Sequence, residues 1–366
     1  MRRRADSPPE RRPPVPHVVQ FSAVREVELV EIAPQPLTSG SVRISTWYSG
    51  ISAGTELTAY RGTNPYLTST WDADRRLFVP GEPSFGYPVS GWGYSEVGEV
   101  TEVADDVSGV RVGDVVHGIW GHRSDAVVPA SAVVGRLVPD GADPLLGTFA
   151  RVGAIALNAV LAADVRLGEQ VAVFGQGVIG LLATRLATLA GGRVTAVDTL
   201  ATRLAMAEVF GARHTVDALR GGGAGESIRE ITGGGADSAI ELSGTDRALH
   251  EAIRAVRPEG LVAASGFYQG GAANLRLGEE FHHNRVRIVA SQISGVPVAL
   301  GGRWDQARLV RTVMALIFDG SVDAGVLVSD IVPAADVAAV FDRLDAGDPD
   351  IMQALLRFDA APERLR

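Results

Sequence analysis

Residues 171–180, VAVFGQGVIG, set the turn Gly175-x-Gly177-x-x-Gly180 directly behind an apolar, strand-like run. A helix-like stretch follows at 178–190, VIGLLATRLATLA, and the next strand-like run, RVTAVD at 193–198, ends in Asp198. A glycine triplet alone is a weak sign, but strand, turn, helix and acid in this order outline a dinucleotide site. The alternative for the same residues is a glycine-rich turn that holds no ligand. Each glycine meets a physical need. Gly175 turns the chain with a positive φ, Gly177 lets a pyrophosphate approach the backbone, and Gly180 brings helix and strand close. Gln176 lies in the turn, and Val178 and Ile179 open the helix, whose free N–H groups and dipole favour phosphate. Gly175, Gln176, Gly177, Val178, Ile179 and Gly180 are therefore candidate cofactor-binding residues.

Outward from this turn, the texture of the chain changes twice. From 17 to 145 short β-branched runs such as HVVQFS, EVELVEI, SVRISTWYS and EVGEVTEVA alternate with Gly, Pro and Asp. That spacing predicts an antiparallel β domain with a barrel-like core. From 146 to 324 strand-like VAVF, RVTAVD, RHTV, SAIELS, LVAASGF and VRIVAS alternate with helical segments, as in LATRLAMAEVFGA and TDRALHEAIRAVRP. This predicts a parallel sheet wound by helices, and with it an α/β fold. Over 325–366 the runs LVSDIVP, AADVAAVFDRLDAG and IMQALLRFD read as strand, helix and strand that return to the first domain. Residues 1–16, rich in Arg and Pro, read as a disordered tail; prolines and Glu10 oppose the amphipathic helix of a transit peptide.

At 366 residues the chain suggests two domains. Its net charge of −9 argues against nucleic acid or an anionic membrane as partner and favours a small soluble substrate. There are no cysteines, which excludes disulfides, thiolate nucleophiles, iron–sulfur clusters and Cys-ligated zinc. No run of about 18 uncharged apolar residues suggests a membrane span, so a cytoplasmic protein is expected.

The order of GISAGTE at 50–56, GYSEVGEVTEVADDVSGVRVGDVV at 93–116, GQGVIG at 175–180, Asp198 with Arg203, and ELSG at 241–244 resembles the medium-chain dehydrogenase/reductase superfamily over nearly the whole chain after the tail. Within it, GTELTAYRG at 54–62 and FHHNR at 281–285 look most like bacteriochlorophyllide-dehydrogenase-like and threonine or polyol-dehydrogenase-like branches. The resemblance implies a GroES-like antiparallel β-barrel domain, a Rossmann doubly wound parallel sheet domain, and hydride transfer with a nicotinamide cofactor. It also implies contacts near the nicotinamide from Ser243 and Gly244 of ELSG and from Gly266 and Phe267 of SGFYQG.

One part of that pattern is missing. Zinc-dependent members of this superfamily carry GHExxG, whose His binds the metal, where this chain has Gly93-Tyr94-Ser95-Glu96-Val97-Gly98. Their other ligand positions fall at Ser52 or Ala53 and near Ala150-Arg151. No metal is expected, because none of these residues holds zinc as the family does and Arg151 would repel it. His282 and His283 are adjacent and diverge, and His117 and His122 read as solvated loop residues.

Without a Lewis acid, alcohol oxidation needs hydroxyl, carboxylate or cationic groups in the cleft. Thr55 matches the family's proton-relaying Ser/Thr, Glu56 the acid behind it, and Tyr94 and Arg151 occupy former ligand positions; these four are the catalytic candidates. Each has a structural alternative: Thr55 as a helix cap, Glu56 as the partner of an Arg, Tyr94 as a filler of vacated volume. Tyr60, Tyr66, Trp71, Phe78, Phe85, Tyr87 and Trp92 form either a substrate wall or a cover on the β domain.

Asp198 favours NAD, since it would accept from ribose hydroxyls and repel a 2′-phosphate, while Arg203 would lie along the adenine. The expected activity is zinc-independent, NAD-dependent hydride transfer between cofactor and a secondary alcohol or ketone, of a sugar, cyclitol or other ring. The rivals are reduction of an activated C=C bond with NAD(P)H, transient oxidation with NAD held in place, and a nucleotide-binding structural relative. Strand VRIVAS at 286–291 is expected to pair across a homodimer.

Overall fold

The computed structural model describes residues 15–362. The disordered tail expected over 1–16 therefore lies, up to residue 14, outside the described residues. The chain enters with β1 (His17–Ala23), β2 (Glu26–Glu31) and β3 (Ser41–Gly50), then α1 (Ala53–Tyr60). A small hairpin, β4 (Thr70–Asp72) and β5 (Leu77–Val79), precedes β6 (Val89–Ser90), β7 (Glu96–Val103), β8 (Val115–Gly118) and β9 (Asp125–Pro129). These strands are antiparallel, and in β3 buried residues recur on alternate positions, as expected for a sheet with one face in a core.

From α2 (Ala150–Ala162) strand and helix alternate through β10 (Gln170–Phe174), α3 (Val178–Leu189), β11 (Arg193–Asp198), α4 (Ala201–Val209), β12 (His214–Asp217), α5 (Ala224–Thr232), β13 (Ala236–Glu241), α6 (Asp246–Ala255) and β14 (Val256–Ala264), after which come β15 (Arg287–Ala290) and α7 (Gln306–Phe318). The six strands are parallel, in the order β12-β11-β10-β13-β14-β15. Strand order reverses between β10 and β13, which makes the carboxyl ends of these two strands the crevice where a doubly wound sheet binds its ligand. Gly175 and Leu242 begin the loops at those ends.

The last segments, β16 (Val328–Pro333), α8 (Val337–Asp345) and β17 (Gln353–Arg357), rejoin the first sheet, with β17 antiparallel to β3. One core binds the two halves: Tyr48, Val97, Leu145 and Phe149 pack with α2, α3 and β10. Pro144–Ala162 is long and apolar enough to cross a membrane by composition, yet 78% of it is buried inside the protein as this shared core.

The sequence reading extends the helix at 245–258 too far. Helix α6 stops at Ala255, and Val256 opens a strand, because Pro258 lacks an N–H and biases the residue before it to extended backbone. Strand β15 ends the parallel sheet, and Ile288 and Val289 on it are each 37% exposed.

Candidate active site and cofactor cleft

The glycine turn is built as its spacing demands. Gly175 has φ +83°, and a Cβ there would lie 2.8 Å from the Ser243 nitrogen. A Cβ on Gly180 would lie 1.8 Å from the Gly175 carbonyl oxygen, so helix α3 can sit this close only without a side chain. Around Gly177, by contrast, no atom lies within 4 Å of such a Cβ. That open space stands at the first turn of α3, where the N–H groups of Val178, Ile179 and Gly180 have no intrahelical acceptor. Gln176 does not face this space: its side chain donates to the Val173 carbonyl (2.8 Å) and accepts from Thr184 Oγ1 (2.9 Å) inside the core.

Asp198, at the end of β11, holds the turn. Its Oδ2 accepts from Gln176 N (2.6 Å), and Oδ1 from Thr199 N (2.8 Å) and Leu200 N (3.0 Å). The carboxylate thus ties the glycine loop to the entrance of α4, and a lone pair on Oδ2 remains for a further donor. Arg203, on the first turns of α4, has its Nε buried without a partner.

At the other end of the crevice Glu241 is the organiser. It is buried and accepts from Ser243 N (2.7 Å), Ser243 Oγ (2.5 Å) and Tyr268 Oη (2.5 Å). Burial pushes the Glu241 carboxyl up, against these donors, and burial beside Glu241 pushes the Tyr268 phenol up. The close approach of the two loops requires glycine: a Cβ on Gly266 would lie 2.4 Å from Gly244 N, and one on Gly244, at φ +71°, 2.9 Å from the Phe267 carbonyl oxygen. Two residues on, Gln269 donates to the Gly54 carbonyl (3.1 Å) and accepts from Thr63 Oγ1 (3.1 Å). This loop of the nucleotide-binding sheet is thereby laid against the start of α1, next to Thr55.

There the catalytic candidates meet. The Tyr94 hydroxyl hydrogen-bonds to Ser52 Oγ and stands 3.3 Å from Thr55 Oγ1. Burial raises the Tyr94 phenol above its usual value; the Ser52 and Thr55 hydroxyls and the nearby Arg151 cation pull the other way without cancelling it. Thr55 does not cap a helix starting at Glu56, because α1 already begins at Ala53. Sequence reasoning placed Ser52 only as a lost ligand position, whereas the structure makes it the direct partner of Tyr94.

Glu56 pairs with a histidine, not with an arginine. Its Oε2 lies 2.7 Å from His122 Nε2, and its Oε1 accepts from Ser52 N at 2.9 Å. His122 Nδ1 meets Ser49 Oγ (2.6 Å), Ser49 donates to Glu96 Oε1 (3.0 Å), and Glu96 Oε2 accepts from Trp120 N (2.8 Å). With the Ser49 proton directed to Glu96, its lone pair is left for a His122 N–H, so a protonated imidazole satisfies the whole chain. Burial alone would lower His122, but Glu56 and Glu96 hold it above its ordinary value; burial raises Glu96. Gly93, at φ +113°, lets the network close beneath Tyr94, since a Cβ would lie 2.8 Å from His122 Nδ1.

The solvated-loop reading of His117 and His122 is corrected. They are 3% and 0% exposed. His122 is drawn inward by main-chain bonds, its N–H to Trp92 O (2.8 Å) and its carbonyl from Val19 N (2.8 Å). His117 is held down to a pKa of about 4 by burial and by Arg136 nearby.

The donor set around Tyr94 does not fit a zinc ion. The groups on Tyr94 are hydroxyls that already bond one another and the fixed cation of Arg151, while the carboxylate and imidazole beneath them, Glu56 and His122, are taken up by each other; zinc needs free thiolate, imidazole or carboxylate. Among the described residues one other group, His250, Glu279 and Glu280, has ligand atoms within 4.8 Å of one another. It lies on α6 and the 277–281 turn, ringed by Arg247, Arg254 and Arg276.

The aromatic segment packs on itself. Tyr66 stacks on Phe85 (5.2 Å), Phe85 meets Trp92 (5.8 Å), and Trp92 meets Phe21 (6.2 Å) in the β-domain core. Trp71 and Phe78 cover the near end of this row. Tyr60 is buried against Phe341, and Tyr87 donates to the Ala59 carbonyl. This is the arrangement of a cover on the β domain.

A crevice at a strand-order reversal, a glycine turn on a helix start and an opposed cluster of hydroxyls are the features of a two-domain, dinucleotide-dependent enzyme. The sequence profile of the zinc-binding dehydrogenase family matches residues 178–307. D-guloside 3-dehydrogenases of Shigella flexneri and Escherichia coli K12 are 30% identical over 324 residues, spanning 86% of this chain and 92% of theirs. The 2-desacetyl-2-hydroxyethyl bacteriochlorophyllide A dehydrogenase of Cereibacter sphaeroides is 26% identical over 363 residues, 93% of this chain and 98% of that one. The chain belongs to the medium-chain, zinc-binding-type dehydrogenase superfamily.

Two solved structures share its fold. A zinc-binding dehydrogenase of Sinorhizobium meliloti 1021 bound to NADP superposes with TM-score 0.75 at 21% identity, over 94% of this chain and all of that one. An alcohol dehydrogenase of Escherichia coli CFT073 complexed with NADH gives 0.75 at 18% identity, over 94% and 100%.

Proposed function

We propose that this chain is a NAD-dependent dehydrogenase that oxidises a secondary alcohol of a sugar-like or other ring substrate, or reduces the corresponding ketone, without a catalytic zinc. The observation that carries the reading is the Ser52–Tyr94–Thr55 hydroxyl cluster beside Arg151, standing where a zinc-dependent relative would hold its metal. The name of the D-guloside relatives supports a sugar-type substrate, and the bacteriochlorophyllide relative supports tolerance of a bulky ring.

The open space at Gly177 and the free N–H groups of Val178, Ile179 and Gly180 suit a pyrophosphate. Asp198 suits ribose hydroxyls, which favours NAD over NADP. When bound, the nicotinamide accepts or gives the hydride.

What the chain itself must do is manage the proton and the charge on oxygen. Tyr94, protonated at neutral pH because burial raises its phenol, donates to a carbonyl oxygen during reduction. In the oxidative direction the same phenol must first lose its proton, which Ser52 and Thr55 can pass along hydroxyls. Arg151 stabilises negative charge on either oxygen. Glu56, braced by His122, is a positioning residue that holds Ser52 and the first turn of α1. Exposed β15 suits a homodimer joined edge to edge.

The test is a screen of glycosides, polyols and cyclitols with NAD and NADP on metal-analysed protein. The reading expects reduced NAD to accumulate in step with ketone, at least about tenfold better than NADP in kcat/KM, in zinc-free protein. Activity that tracks zinc content, or turnover with no net reduction of cofactor, overturns it.

A further inference from the structure

Arg136 and Arg151 face one small cavity of about 60 Å3, lined also by Gly118, Ile119, Gln306 and Val310. It lies where the end of β8, the start of α2 and the start of α7 converge, so both halves of the molecule contribute to it. Arg136 is pinned there by its backbone, whose carbonyl accepts from His117 N at 3.0 Å and whose N–H donates to Val133 O at 2.9 Å. Arg151 is the second residue of α2, and Gln306 the first of α7.

The polar side chains lining this cavity are the two guanidinium groups and the Gln306 amide. Both arginines are half-buried, and among the described residues neither guanidinium has a hydrogen bond or an ion pair. Burial pulls each below its ordinary pKa, Arg136 acts further against Arg151, and only Tyr94 offsets this. Arg151 also stands at a helix start, where the dipole disfavours a cation. No acidic residue lines the cavity, in a chain whose net charge is −9. Two half-buried cations set side by side, one of them at a helix start, with only Tyr94 acting to offset them and no carboxylate in the lining, are what a site awaiting an anion looks like.

We propose that Arg136 and Arg151 together receive an oxyanion borne by the substrate, a carboxylate or a phosphate ester on a polyhydroxylated ring or chain. Planar guanidinium groups pair such oxygens bidentately, and the Gln306 amide adds a donor. Arg151 also acts electrostatically on Tyr94, and the proposal has the held anion orient the substrate's carbinol toward the Tyr94, Ser52 and Thr55 hydroxyls. The proposal rests on the dehydrogenase reading and narrows it to acidic sugar-type substrates.

The experiment compares neutral glycosides or polyols with the matching sugar acids and sugar phosphates, in wild-type, Arg136→Met, Arg136→Lys and Arg151→Met proteins. The expected result is a kcat/KM at least about tenfold higher for one acidic series, lost through KM in Arg136→Met and partly kept in Arg136→Lys. Preference for the acid or for the phosphate assigns the group. If neutral substrates are oxidised equally well and Arg136→Met changes none of these ratios, the anion site is overturned while the dehydrogenase stands. If no alcohol is oxidised, the dehydrogenase reading fails instead. Thermal-shift titrations with acetate and inorganic phosphate then read the site: a rise in wild type that Arg136→Met abolishes supports it, and equal shifts in both overturn it.

Discussion

The Glu56 carboxylate and the His122 imidazole meet at 2.7 Å with 1% and 0% of their side chains exposed, directly beneath the hydroxyls of Ser52 and Tyr94. Removing one member of a buried, hydrogen-bonded pair strands the other, at about 3–5 kcal/mol. Glu56→Gln and His122→Gln should each lower unfolding free energy by roughly that much in urea titrations, and the double variant should lose less than the sum. Strict additivity would mean that the pair is not coupled.

In the proposed mechanism Tyr94 sets the pH dependence of oxidation. Since its phenol lies above the ordinary value, oxidation should keep rising with pH and show no plateau below about 10. Tyr94→Phe should lower the rate about 10²- to 10⁴-fold and flatten the slope. Arg151→Met removes a cation that favours the phenolate, so at a fixed alkaline pH it should be slower than wild type. Initial rates across alkaline buffers would decide both points.

Gly177 and Gly180 should respond differently to the same change. Gly180→Ala puts a Cβ 1.8 Å from the Gly175 carbonyl oxygen, so it should lose about 1–3 kcal/mol of stability along with cofactor binding. Gly177→Ala meets no atom within 4 Å, so thermal stability should hold while cofactor affinity falls. Melting curves and cofactor titration on both variants make the comparison; weakened folding in Gly177→Ala would contradict it.

His117 predicts an acid limit to stability. Its folded pKa of about 4 lies below the unfolded value of 6.5, so the folded protein keeps it neutral while the unfolded chain takes up a proton. Its contribution is complete above 6.5 and disappears as pH falls toward 4, a span of about 3 kcal/mol. His117→Gln should flatten the fall in melting temperature across that window. An identical pH profile in wild type and variant would remove His117 from the account.

Much of this protein was legible along the chain because the signals are local. The triplet of Gly175, Gly177 and Gly180 carries its meaning in consecutive residues, and the six parallel strands each announce themselves by a short apolar run between helical periods. The end of α6 was misjudged because helical spacing outlasts the helix by the residues before Pro258. His122 was misread for a different reason. Flanked by Gly121 and Arg123, it looks like a loop residue, and only its partner 66 positions away shows that it is buried.

By itself, then, the sequence determined the fold class, with its antiparallel and parallel sheets, and the glycine turn with Asp198 behind it, since each depends on residue type and short-range period. Tertiary structure alone decided which polar groups meet. It joined Ser52 to Tyr94 and Glu56 to His122, and it brought Arg136 to Arg151 without a counter-charge. Burial and charge pairing are properties of positions brought together by packing, and no short window of residues contains both partners.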